Sequence, residues 1–312
     1  MKRFYTIGSG NNEKFDKAWF MEAVEEGSLK TVNSISGGKT SAYIAKNYPA
    51  DYNIFSLVRT SDKRCLFPDK KVRQLVSDKL GTEFIGTLED NKIIYTILDL
   101  EQFIGTKISW TTGKTFDEII VRGDKKYLPN VTQRFCTTEM KLTPIFEWWL
   151  REVNEPVEMR IGFRANEQSR AKSMIEKTND IGLSEFKHIT GRSKSGNRNK
   201  WSTTGWQLPT FPLIKDAVFK DQIEEYWRDK PVRFAYMNNC IGCFHRSPPL
   251  LKLMSEKHPE KFDWFINAEQ EGGYGKRTFK NGTNYQKIKD SFKQTELFDT
   301  DFNDCDSGYC GL

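Results

Sequence analysis

The sequence predicts an α/β fold: an open parallel sheet with helices on both faces, followed by a cysteine-containing C-terminal region. Three observations carry this expectation. Residues 30–46 run from an apolar strand through Gly37 and Gly38 into a good helix former, and residues 52–80 repeat the strand-then-helix order. Alternation of that kind calls for right-handed crossovers between parallel strands. A chain of 312 residues with 37% hydrophobic and 29% charged residues has apolar material for a sizeable core, without the composition of a disordered or membrane protein.

Taken in order, residues 1–29 read as an N-terminal extension with one short helical pattern, Phe15 to Val24. A first, sheet-containing domain is expected over 30–235. Its first strand is Lys30 to Ser36, leading through the glycines into a helix over 42–46. The second strand is Tyr52 to Arg59, and a helix follows from Pro68, a favoured first-turn residue, to about Leu80. Residues 88–130 look irregular. A helix is expected over Pro144 to Val153, a buried strand over Val157 to Gly162, a short strand over Phe211 to Ile214, and a helix from Asp216 to Trp227. Residues 192–200 hold four cations and no acidic or apolar residue, the composition of a mobile, solvated loop. The C-terminal region, 236–312, begins with a Cys-x-x-Cys pair, continues into a helical pair around 248–268 and ends in a polar tail with two cysteines.

Composition narrows the function classes. No run approaches the roughly 18 to 20 apolar residues that a membrane helix requires, and the basic start, Met1 to Arg3, breaks into Gly-Ser-Gly-Asn-Asn where a signal peptide would be apolar. A cytoplasmic location without membrane attachment is expected. Six cysteines in 312 residues are too sparse for a disulfide scaffold, so their clustering points to metal binding or thiol chemistry. The net charge of +6 leaves nucleic acid open as a partner.

A helix N-terminus preceded by glycines can receive an anion, because its first N–H groups lack intrahelical partners and glycine lets a phosphate approach the backbone. Ser36, Gly37, Gly38, Lys39, Thr40 and Ser41 supply that arrangement with hydroxyls and an ammonium. It is not a Walker A loop, since Asn33 stands where the first glycine would be, and the second Gly-Lys-Thr, at 113–115, fails in the same way at Ile108. A glycine turn with no ligand is the plain alternative. The segment resembles the Ser-Gly-Gly-x-Asp-Ser loop of the adenine-nucleotide alpha-hydrolase-like (PP-loop) superfamily, with Thr40 in the place of the usual Asp.

Two further segments sharpen the likeness. Arg134, Cys136, Lys141 and Pro144 resemble the Arg-x-Cys-x-x-x-x-Lys-x-x-Pro signature of the phosphoadenosine-phosphosulfate (PAPS) reductase family, and Gly162, Arg164, Glu167 and Arg170 are similar to its Gly-x-Arg-x-x-Glu-x-x-Arg segment. The resemblance spans about 30–250 and implies a Rossmann-like PP-loop sheet that binds an adenine nucleotide. Arg134, Lys141, Arg164 and Arg170 would hold phosphate and sulfate oxygens. The competing reading is ion pairing along a helix, Glu167 and Arg170 being three residues apart.

Cys240 and Cys243 share one tight turn, a spacing used for zinc, iron–sulfur clusters and redox dithiols. By the family precedent, Cys136, Cys240 and Cys243, with Cys305 as fourth ligand, would hold a [4Fe–4S] cluster, with zinc as the alternative. Cys310-Gly311-Leu312 resembles the tail motif whose cysteine attacks sulfur in sulfonucleotide reductases, although Tyr309 replaces its Glu and the sequence stops before its His. His188, His245 and His258 show no triad spacing, and only His245, beside Cys243, is a candidate for supporting a ligand. Trp148, Trp149 and Cys65 read as core residues.

The reading is a PAPS reductase-like oxidoreductase with Cys310 as nucleophile and a thioredoxin-like reductant as partner. One alternative is an ATP-dependent sulfurtransferase acting on DNA or RNA. Another is a metal-stabilised nucleic-acid-binding or regulatory protein without turnover.

Overall fold

A computed structural model describes residues 16–123, 125–193, 198–270 and 278–291. Six strands form the main sheet: β1 (Thr31–Ile35), β2 (Tyr52–Ser56), β3 (Ile108–Thr111), β4 (Val157–Arg160), β5 (Ser184–Arg192) and β6 (Asn199–Thr210). Their spatial order is β3-β2-β1-β4-β6-β5. Four contacts are parallel, and β5 returns antiparallel along β6 as an edge hairpin. The sheet is therefore mixed: parallel through its centre, with one antiparallel edge. The chain leaves β1 toward β2 on one side, and β4 joins it on the other. That reversal makes a crevice beyond the carboxyl ends of β1 and β4, the position where open α/β sheets bind ligands.

Helices cover both faces, as alternation within the strands requires. Ile54 and Phe55, neighbours in β2, enter different cores. Phe55 joins Ile35 and Ile108 against helices α2 (Lys39–Asn47), α3 (Lys70–Leu80) and α4 (Lys92–Ile104). Ile54 joins Val32, Val157 and Met159 against α5 (Thr143–Glu152). Trp148 and Trp149 are both buried in this second core. The N-terminal helix expected over 15–24 runs over Lys17–Glu26, capped by the Asp16 carboxylate and ended by Gly27 in the left-handed region.

Three local expectations are corrected. The stretch 88–130 contains α4, thirteen residues long, and strand β3. Ile93, Ile94, Ile97 and Leu100 of α4 line one buried face, and half-buried Tyr95, Leu98 and Phe103 extend its apolar surface past a single stripe and blur the periodic signal. Phe211 to Ile214 is not a strand; Pro212 opens a helical turn to Lys215, and the strand is β6 just before it. The basic segment 192–200 is not loop at its ends, because β5 extends to Arg192 and β6 resumes at Asn199.

Helix α6 (Lys220–Trp227) closes the first domain, and the C-terminal region supplies α7 (Pro248–Lys257), α8 (Pro259–Gln270) and α9 (Tyr285–Asp290). The last three bury Leu251, Phe262, Phe265 and Tyr285 in one core with Val58, Leu88 and Phe116 from the sheet's carboxyl end.

Phe146 ties α5 to the hairpin. Its ring stacks on Phe186 of β5 at 4.7 Å and meets Trp206 of β6 edge-on at 5.6 Å. Phe146→Ala should cost about 3 to 5 kcal/mol of unfolding free energy, through lost burial and the cavity left behind. The readout is the urea midpoint at unchanged slope; a loss under about 1 kcal/mol would mean the hairpin does not depend on this ring.

Candidate functional site

The glycine turn sits where β1 ends and α2 begins. Gly37 has φ +80°, and a Cβ there would lie 2.7 Å from Ile93 Cγ2. The residue must therefore be glycine on both counts, backbone conformation and space. Gly38 caps α2 without a side chain. Ser41 Oγ donates to the Gly38 carbonyl at 3.1 Å and accepts from the Ser36 N–H at 3.1 Å, so two of the expected phosphate-binding hydroxyl residues brace the turn. Thr40 is 1% exposed, and a Cβ on Gly162 would come within 3.3 Å of its methyl group. The strand-end segment after β4 thus lies directly against the start of α2.

Lys39 does not stand free beside the turn. Its ammonium pairs with Glu224 of α6, and its carbonyl accepts from Trp227 Nε1 at 2.9 Å. Arg164 and Arg170 share one carboxylate: Arg164 Nε meets Glu167 Oε2 at 3.0 Å, and Arg170 pairs with the other oxygen. This is the ion-pair arrangement that the sequence spacing allows, but buried rather than on the surface, with Arg164 only 6% exposed. Burial works against the Glu167 charge, yet the Arg164 N–H and the two guanidinium groups outweigh it and hold the carboxyl below its usual range. Arg170 also lies over the Phe163 ring, 4.4 Å from its centroid.

Lys141 and Arg134 belong to a second place. Cys136 stands in the turn Phe135–Thr137, which passes into one turn of π-helix, Thr138–Leu142, a distortion common at functional sites. Ser56 at the end of β2 donates to the Met140 carbonyl at 2.8 Å and fixes that turn over the strand end. Cys136, Cys240 and Cys243 line one cavity with Lys141 and His245, with an empty volume of about 530 Å³, partly open to solvent. Arg134 lies near enough to His245 to help hold its imidazole pKa down, after burial as the larger cause.

The Cys-x-x-Cys turn is clamped from several sides. Ile241 N–H donates to the Leu88 carbonyl at 2.8 Å, and Tyr285 Oη donates to the Gly242 carbonyl at 2.9 Å. A Cβ on Gly242 would enter the Phe265 ring at 2.5 Å, so only glycine fits between the two cysteines at this packing. Arg246 is buried and donates to the carbonyls of Asn238 and Cys240, at the residues that enter the turn.

Lys141 Nζ reaches Glu89 Oε1 at 3.2 Å, and Glu89 is 2% exposed. Burial opposes the Lys141 charge, but Glu89 and the neighbouring thiols outweigh it and raise the ammonium pKa. Burial and Glu89 push the Cys240 thiol well up, against Lys141, while burial pushes Cys136 up to about 11. Three thiols are the ligand type that suits a soft metal ion or iron–sulfur cluster. Among the described residues, no group of three or more His, Cys, Asp or Glu is placed to hold a metal ion. Cys305, the expected fourth ligand, and Cys310, the expected nucleophile, lie outside the described residues.

Sequence reasoning missed Glu89, Arg246, Lys261 and Tyr285. Lys261 is 6% exposed and donates to the Glu89 carbonyl and, at 2.7 Å, to Asn91 Oδ1. None of the four carries a local signal except Arg246, which follows Cys243 by three residues and whose N–H closes onto the Cys243 carbonyl at 3.0 Å. Compared with protein-family models, curated proteins and solved structures, the chain finds no match.

Cys65 stands apart from the cavity, buried at 3% exposure, its thiol pushed up to about 12, chiefly by burial. The folded pKa lies above the unfolded value of 9.0, so the folded state holds the extra proton and loses stability as pH climbs from 9 toward 12. Iodoacetamide at pH 8 should modify Cys65 at least about a hundredfold more slowly in the folded protein than in urea, because the thiolate is scarce and enclosed. Equal rates by peptide mapping would show that the site is open.

Proposed function

We propose that the chain is an adenine-nucleotide-dependent enzyme of sulfur chemistry. The observation that carries the reading is the shared backing of its two sites. Ile93 packs against Gly37 at the glycine turn, while Leu88 and Glu89 bridge the Cys-x-x-Cys turn at Ile241 and Cys240. A glycine turn beyond β1 and a thiol-lined cavity beyond β2 are thereby fastened to one six-residue segment at the carboxyl edge of the sheet. The adenine nucleotide would lie over residues 36–41, its phosphates toward the start of α2, with Arg164 and Arg170 at the neighbouring end of β4.

In the reductase form, the nucleotide is PAPS or its 3′-dephospho analogue, adenylylsulfate (APS). The Cys310 thiolate attacks the sulfonate sulfur, an S–S bond forms, and the bond from sulfur to the phosphate oxygen breaks with its electron pair on phosphate. An external dithiol, such as a thioredoxin-like protein, then attacks the Cys310 sulfur, releases sulfite and leaves as its own disulfide. Lys141, held charged by Glu89, would steady negative charge at the cavity. Cys136, Cys240 and Cys243, with Cys305, would hold a cluster or zinc, which would supply a soft metal site able to bind sulfur. The three thiols at one cavity also favour a second form, in which an acceptor oxygen on DNA or RNA attacks the α-phosphate of ATP, pyrophosphate leaves, and hydrosulfide held at the thiol site then displaces AMP. A cytoplasmic setting, where these thiols remain reduced, fits both.

Intact-mass spectrometry separates the two forms. Incubation with PAPS or APS without reductant should add a sulfite-sized mass to one cysteine, and Cys310→Ser should abolish it. An adduct that survives the substitution would reassign the nucleophile, and no adduct with either nucleotide would exclude the reductase form.

The nucleotide site has its own test. Gly37→Ala places a side chain at positive φ and against Ile93, a strain of about 1 to 3 kcal/mol. Calorimetry should show adenine-nucleotide affinity falling at least about tenfold; unchanged affinity would remove the turn from the site.

A further inference from the structure

The β5–β6 hairpin has one covered face and one bare one. Phe186 and His188 point inward, the former stacked on Phe146 and the latter with Nε2 2.9 Å from Thr204 Oγ1. The other face carries Lys187 opposite Thr203 and Ile189 opposite Trp201. All four are exposed, Ile189 at 48% and Trp201 at 55%. An indole that open is not explained by packing, and Lys187 Nζ lies over it, 5.5 Å from the ring centroid.

Glu185 shares this face at one end, and beyond it the charge has one sign. From Phe186 to Lys215 the sequence contains no Asp or Glu. Beyond Trp201 and Ile189 toward the hairpin's end come Lys200, Arg192 and Arg198, all exposed. An aromatic face interleaved with unscreened cations matches a polyanion whose bases offer π-faces. We propose that the outer face of this hairpin binds single-stranded nucleic acid, with a base stacked on Trp201 and phosphates on Lys187 and Arg192. A duplex keeps its base faces stacked and would leave the indole unused. The proposal deepens the sulfur-transfer form of the function proposed above by naming the surface that would hold the acceptor strand. Binding itself is measured without reference to turnover.

The test is fluorescence anisotropy of the full chain with labelled twelve-residue oligo-U and oligo-dT at 50 and 200 mM salt. Wild type should bind at least one of them and weaken with salt. Trp201→Ala should weaken binding by about 5- to 150-fold, the range for loss of one stacked base. Lys187→Gln with Arg192→Gln should flatten the salt dependence, and Thr203→Lys, which adds a cation to the same face, should tighten binding. No strand binding by wild type, or equal binding by Trp201→Ala, would overturn the proposal. So would tighter binding of a duplex of the same length, or displacement of the strand by polyglutamate at equal charge, which would make the face a groove reader or a plain anion surface. Calorimetry with ATP and PAPS runs in parallel on each variant and should be unchanged. Strand binding that persists where no adenine nucleotide binds would sink the proposed function and leave the hairpin assignment standing.

Discussion

The arrangement of both sites depends on the buried ion pair between Glu89 and Lys141. Glu89 belongs to the segment that follows β2's helix and precedes α4, and Lys141 to the π turn over the ends of β2 and β3. Lys261, from the C-terminal helices, donates to the carbonyl of the same Glu89. One residue thus receives a cation from each of two distant stretches of chain. A buried pair of this kind adds little net stability when intact, because both charges leave water, but losing one partner strands the other at a cost of about 3 to 5 kcal/mol. Its value here is positional. The backbone of Glu89 also bridges Cys240, so the pair fixes the distance between the Cys136 turn and the Cys-x-x-Cys turn.

Lys261 shows the tension in this design. Burial pushes its ammonium down to about 8, even with Asp90 and Glu89 nearby to support the charge. Its folded pKa lies below the unfolded value of 10.5, so the unfolded chain holds the extra proton between those values, and this group favours the folded state more as pH rises from 8 to 10.5. Cys65 acts in the opposite direction above pH 9. The core that seats the thiol cavity therefore balances two buried titratable groups whose burial costs change with pH in opposite senses.

The glycine turn and the strands on either side of it were legible in the sequence because each rests on a local signal, whereas Cys136 was joined to Cys240 and Cys243 only through the family precedent. A glycine pair between strand and helix, a Cys-x-x-Cys spacing and an Arg-x-Cys segment need no knowledge of distant residues. The helix over 92–104 was not legible, because half-buried Tyr95, Leu98 and Phe103 carry its apolar residues past a single stripe. Glu89 was hidden for a different reason. A single carboxylate at the start of such a segment looks like a solvated loop residue, and only tertiary contact with Lys141 and Cys240 reveals its part. The hairpin's outer face combined both difficulties: its alternation was broken by the shift between Ile189 and Gly191, and its charges suggested a loop.

The way cations are held separates the two kinds of surface on this molecule. At the crevice, Lys39 is paired with Glu224, Lys141 with Glu89, and Arg164 and Arg170 share Glu167. Most of this charge is offset within the site, so the ligand proposed for the crevice would be recognised at contact distance, through guanidinium forks and helix N–H groups. On the hairpin, Lys187, Arg192, Arg198 and Lys200 face no acidic residue along thirty positions of sequence, and their field reaches out to about a Debye length, roughly 8 to 10 Å at physiological salt. The +6 charge of the chain is thus not spread evenly. Paired cations line the place where a small nucleotide would have to fit, and cations that meet no carboxylate among the described residues mark the hairpin, where attraction at a distance would serve the proposed strand.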